Sequence, residues 1–202
     1  MQSKTLNNKG VYDMPKLLSF THMGNPILKQ VAEPVNLKNI EDYYELIHDM
    51  MFTLTQQNKR LGLAAPQVNV SKRIFIFRLP DKIHPRYGNE SVEPIDLHAL
   101  INPEVTALSN EEVVGWEACI SLPGLVGKVP RYKQISYSFY DIQGEKHTRI
   151  AEGFHARVVQ HEMDHLNGIL FPDQMTDLTT FGFEDELIKP NNKESEKPCK
   201  TA

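Results

Sequence analysis

Little in this 202-residue chain speaks for export, for a membrane or for nucleic acid. It has only two cysteines, Cys119 and Cys199, and the second sits in a Lys/Glu-rich tail far in composition from any core. A structural disulfide is therefore not expected, and the reducing cytoplasm fits best. Nowhere do about 18 apolar residues run together, so no membrane span is expected. The opening residues MQSKTLNNKGVYDMPK hold no apolar run of signal-peptide length, and secretion is not indicated. Basic residues are not in excess: 22 Lys and Arg face 26 Asp and Glu, a formal net charge of −4. Direct nucleic-acid binding, which favours a clustered basic surface, is not expected. No internal repeat is visible. The 40% hydrophobic and 24% charged content is ordinary for a soluble globular chain, and the length suits one domain with tails.

What the chain does have is Gln160-His161-Glu162-Met163-Asp164-His165. On a helix, residues four apart lie one above the other, so both imidazoles can reach one metal ion with Glu162 held beside it. That supplies two ligands and a proton acceptor for metal-assisted hydrolysis. A catalytic metal site needs a third protein ligand and an open position for water. The chain after His165 does not continue as a metzincin, which would require a third His after a Gly. Downstream carboxylates (Asp173, Asp177, Glu184, Asp185, Glu186) follow Pro172 or fall in the tail and fit less well. Cys119, in Gly115-Trp116-Glu117-Ala118-Cys119-Ile120-Ser121, is the upstream candidate, and a thiolate binds a divalent metal strongly. A third segment, Leu61-Gly62-Leu63-Ala64-Ala65-Pro66-Gln67, has small residues that let another backbone approach, followed by a side-chain amide.

The rest of the chain reads as an α+β fold, because strands and helices do not alternate strictly. Ile40, Tyr44, Ile47, Met51 and Leu54 fall at helical spacing over 39–57, with Asn39 as N-cap. Arg73 to Arg78 reads as a short apolar strand, 80–96 as a long loop, and Leu97 to Ile101 as a strand meeting a turn at Asn102-Pro103. Val129 to Tyr140 is rich in strand formers, and Gln143-Gly144 marks a hairpin turn. The helix bearing the histidines is expected over Phe154 to Leu166, opened by Gly153, with Gly168 as C-cap glycine. The expected organisation is one catalytic domain over 1–183, with 1–14 an N-terminal extension, and a charged, mobile tail over 184–202.

The three segments together resemble peptide deformylase, the family that removes the N-terminal formyl group from newly made bacterial and organellar polypeptides. That family carries a glycine-rich segment ending Ala-Ala-Pro-Gln, a Glu-Gly-Cys-Leu-Ser segment and a His-Glu-x-x-His helix, and this chain shows counterparts in that order over about residues 15–175. The resemblance implies sheets packed around a central helix that carries the two histidines. It implies Cys119, His161 and His165 as metal ligands and Glu162 as general acid/base. Gln67 and the backbone N–H of Ile120 would be oxyanion donors. Leu61, Gly62, Ala118 and Val158 would line the substrate, with Glu117 and Arg131 in support. It implies ferrous iron in the cell, with zinc, nickel or cobalt as substitutes. The partners are formylated nascent polypeptides, with docking near the ribosome exit region open, and the assembly is a monomer or weak homodimer. Two positions depart from the family: Arg60 stands where another Gly is usual, and Ala118 replaces the Gly before the cysteine. The competing readings are a zinc endopeptidase using the same helix, and an inactive metal-binding relative acting as a binding module.

Overall fold

The computed structural model describes residues 5–6, 12–57, 60–82 and 92–188. Its largest sheet has five antiparallel strands in the order β3 (Gly62–Ala64), β4 (Ile74–Leu79), β5 (Ile95–Ala107), β8 (Gln134–Tyr140) and β9 (Lys146–Glu152). A second sheet orders β10 (Gly182–Phe183), β7 (Leu125–Tyr132) and β6 (Glu112–Ala118). Near the N-terminus, β1 (Thr5–Leu6) pairs with β2 (Tyr12–Asp13). The helices are α1 (Tyr44–Thr55), α2 (Gly153–Leu166) and the single turn α3 (Glu184–Leu187).

The sequence of β4 explains the layering. A strand covered on both faces reads as a continuous apolar run, and side chains alternate between faces. Phe75 and Phe77 turn to the cluster that holds Val158 and Val159 of α2, while Ile74 and Ile76 turn to the cluster that holds Ile47, Met50 and Leu54 of α1. All four are fully buried, and each contributes roughly 1.5–3 kcal/mol of apolar burial. Helix α2 also touches β7, so it lies between the two sheets. The α+β architecture and the central histidine helix are as the sequence led one to expect.

Several local expectations are corrected. Asn39 does not cap α1: the chain enters through a 3-10 segment (Leu37–Tyr43) capped by Asn36, whose side chain accepts from the Lys38 N–H, and Asn39 is a kink at φ −123°. The chain does not turn at Asn102-Pro103. Instead β5 runs on to Ala107 through a bulge, with Asn102 at φ +50°. The Asn102 amide accepts from the Val35 N–H and donates to the Val35 carbonyl, both at 2.8 Å, and so ties the bulge to the neighbouring chain. The stretch from Val129 to Tyr140 is two strands in different sheets, divided at Lys133. Glu184 to Leu187, placed by the sequence in the tail, is a helical turn following a strand paired with β7. The expected loop over 80–96 ends sooner, since Ile95 and Asp96 belong to β5, and its residues 83–91 and the remainder of the expected tail lie outside the described residues.

The hairpin turn at Gln143-Gly144 forms as expected, with Asp141 Oδ1 accepting from the N–H groups of Gln143 and Glu145. Gly168 sits past the end of α2 at φ +72°, and a Cβ there would lie 2.7 Å from the Lys29 backbone. Only glycine meets both conditions.

Candidate active site

One pocket is lined by Leu61, Gly62 and Gln67 from the β3 segment, by Glu117, Ala118, Cys119 and Ile120 from the end of β6, and by Val158, His161 and Glu162 from α2. His165 lies one helical turn deeper and is fully buried. The three segments singled out in the sequence thus meet at one place, where an edge strand of each sheet approaches the central helix.

Cys119 Sγ lies 3.2 Å from His165 Nε2, and one ligand atom from each of Cys119, His161 and His165 falls within 4.8 Å of the others. Around a tetrahedral ion, metal–sulfur and metal–nitrogen bonds of ordinary length set donor atoms about 3.3–3.6 Å apart. The donors present are one soft sulfur and two imidazole nitrogens, a set suited to a transition metal. Glu117 Oε2 accepts from His161 Nδ1 at 2.8 Å, which leaves His161 Nε2 to face the sulfur. These residues fit a divalent ion. Burial alone would raise the Cys119 thiol, but the adjacent His165 and His161 hold it well below its ordinary value. Burial likewise raises Glu162, to about 7, against the lowering influence of the two imidazoles. Glu162 Oε2 is buried and has no hydrogen-bond partner among the described residues.

Gln67 is fixed at both ends. Its Oε1 accepts from the Ala64 N–H at 2.8 Å, so its NH₂ faces Cys119 Sγ and Ser121 Oγ, each at 3.3 Å. A strap from the N-terminal side holds the two segments in register: the Thr21 N–H donates to the Gln67 carbonyl and the Met23 N–H to the Ser121 carbonyl.

Behind the ligands is a buried ionic network. Arg131 donates to both oxygens of Glu117, at 2.8 and 2.9 Å, and to Asp164 at 2.6 Å. Burial works against ionising Glu117, but the Arg131 charge and hydrogen bonds outweigh it and hold the carboxyl well below its usual range. The sequence reading missed Arg157, which completes this network by donating to Glu117 Oε1 and to the carbonyls of Val113, Gly115 and Val129. A signal was present: Arg157 lies four residues before His161, on the helical stripe that carries both ligands.

Ala118 is compatible with its place, because the non-glycine residues at positive φ among the described residues are Asn69 and Asn102. Gly62 is required for a reason the sequence did not disclose. A Cβ there would stand 2.2 Å from Glu162 Oε1 and 2.5 Å from its carboxyl carbon. Gly62→Ala is therefore expected to push the carboxylate aside and lower kcat/KM about 100-fold, the scale of an ångström of misplacement. Steady-state assays beside a melting curve check this; activity near wild type would show that Glu162 need not hold its place.

The family model described as polypeptide deformylase matches residues 17–181. The chain is 46% identical over 166 residues to peptide deformylase 1 of Bordetella pertussis, covering 82% of this chain and 92% of that protein. Among solved structures, it is similar to the Met-Ala-Ser-bound class I type b peptide deformylase of Acinetobacter baumannii. There the TM-score is 0.72 at 37% identity, over 80% of this chain and 100% of that one. The peptide deformylase of Thermotoga maritima gives a TM-score of 0.65 at 33% identity, over 80% and 99% of the two chains.

Proposed function

The chain belongs to the polypeptide deformylase family, and from that premise we propose how its own residues divide the work. It is a metal-dependent hydrolase that removes the N-terminal formyl group from nascent polypeptides. Cys119, His161 and His165 hold the ion. A divalent cation bound there would supply the Lewis-acid chemistry that makes a formamide hydrolysable at neutral pH. Glu162 accepts the proton of the attacking water on its free oxygen and passes it to the departing amine, so that formate and a free N-terminus leave. The Gln67 NH₂ and the Ile120 N–H receive the negative charge that builds on the formyl oxygen. One such donor is worth about 2.7–4 kcal/mol in another hydrolase. Glu117, steadied by Arg131, orients His161. Val158 and Leu61 take the methionine side chain, and the Gly62 backbone carries the peptide.

The observation that carries this reading is the Oε2 of Glu162, unpartnered among the described residues, in the pocket that Cys119 and His161 line. Ferrous iron is the ion we assign in the cell, with zinc, nickel or cobalt as substitutes. The thiolate donor supports a transition metal, and the family resemblance supports iron. We place the enzyme in the cytoplasm, where formylated chains emerge near the ribosome exit region, as a monomer or weak homodimer. Among the described residues no helix is long and apolar enough to cross a membrane.

The test is formate release from formyl-Met-Ala-Ser by anaerobically prepared protein, in wild type and Cys119→Ser. Wild type should deformylate it. The variant should lose metal and fall by more than about 100-fold, beyond the 10–100-fold typical of losing only an outer partner of a ligand. Cleavage of internal peptide bonds, indifferent to Cys119→Ser, would mark an endopeptidase instead. Metal binding without formate release would mark a binding module.

A further inference from the structure

We propose that Arg60 is a specificity-determining residue whose guanidinium receives a carboxylate carried by the substrate about two residues downstream of the formylated methionine. The inference rests on the deformylase reading above and adds a substrate preference to it.

Among the described residues β3 is the outermost strand, paired on one side only with β4. The Arg78 N–H donates to the Leu61 carbonyl at 2.8 Å. Backbone groups along an antiparallel strand alternate in direction, so Leu61 and Leu63 turn theirs to β4 and Gly62 turns its N–H and carbonyl outward. An extended peptide can add to this free edge.

Direction follows from the site. The formyl group must lie at Glu162, beside Gly62, so an antiparallel peptide runs from there towards Arg60. The missing Cβ of Gly62 would point at Glu162. Arg60 stands two positions back, just before the strand begins, with its N–H on the Gln57 carbonyl, and it lines the same pocket as Gly62 and Glu162.

The charge of Arg60 is uncommitted. The other guanidinium lining the pocket, that of Arg157, is spent on Glu117 and three backbone carbonyls. Glu117 is spent on Arg131, Arg157 and His161. Arg60 is half-buried and forms no side-chain hydrogen bond or ion pair among the described residues. A planar fork of N–H donors of this kind matches a carboxylate. Two carboxylates are within its chemistry: an Asp or Glu side chain at the third residue, and the C-terminus of a short peptide.

The experiment compares kcat/KM for formyl-Met-Ala-Glu-amide and formyl-Met-Ala-Gln-amide, and for formyl-Met-Ala-Ser as free acid and as amide, in wild type, Arg60→Ala and Arg60→Glu. Wild type should prefer the acidic member of at least one pair by about fivefold at low ionic strength, the upper range for a solvent-accessible ion pair. The preference should lie mainly in KM, shrink in salt, vanish in Arg60→Ala and invert in Arg60→Glu. Which pair responds identifies the source of the carboxylate. Equal rates within both pairs in an active wild type, or a preference that survives Arg60→Glu, would overturn the assignment while leaving the deformylase reading intact. No formate from any peptide would sink both.

Discussion

Glu162→Gln is expected to lower deformylation by about 10⁴-fold, the upper end of what one general acid–base group supplies, because in the proposed mechanism this carboxylate handles the proton twice. The amide keeps the size of the side chain and so keeps the contact with Gly62. It cannot take a proton from water. Glu162 is not one of the three ligand residues, so metal content should stay near one ion per chain and the melting temperature should change little. Those two readouts matter, since an inactive variant that had lost its ion would say nothing about proton transfer. Retention of more than about a tenth of wild-type kcat/KM, with metal bound, would remove Glu162 from the chemistry.

The second large effect is on stability. Glu117 is 3% exposed and is the common acceptor for Arg131, Arg157 and His161. Glu117→Gln keeps the shape and deletes the charge, leaving two buried guanidinium groups with Asp164 as the carboxylate paired to Arg131. Breaking a buried pair from one side costs about 3–5 kcal/mol. In a chain of this size that corresponds to a fall in Tm of roughly 6–20 °C. His161 would also lose the acceptor that orients it, so metal affinity should weaken about 10–100-fold. Calorimetry and metal titration on one preparation test both. A fall of under 2 °C with unchanged affinity would show that the network is dispensable.

Much of the site was legible because its chemistry is local in sequence. The spacing of His161 and His165 fixes a shared face whatever surrounds the helix, and a sulfur ligand narrows the choice of partner segments to the one around Cys119. The features that escaped depend on contacts across the chain. Arg157 shares the helical stripe of the histidines, but its partners appear only when β6 and β7 bring Glu117 and three carbonyls to it. Gly62 looks like a position for tight backbone packing, whereas its neighbour is a carboxylate a hundred residues away in sequence. Asn102-Pro103 carries strong local turn chemistry, but the Val35 backbone satisfies the amide and the strand continues. Lys133 gives no local sign that it divides two sheets.

The strap at Thr21 and Met23 has a consequence of its own. The amide of Gln67 and the sulfur of Cys119 belong to segments more than fifty residues apart, and each segment is tied by a carbonyl to the same three-residue stretch. That stretch works as a gauge block, setting the gap between two tools without touching the workpiece. The spacing of the reaction centre is thus set in part near the front of the polypeptide, through two peptide N–H groups, beside the direct bonds from Gln67 to Cys119 and Ser121.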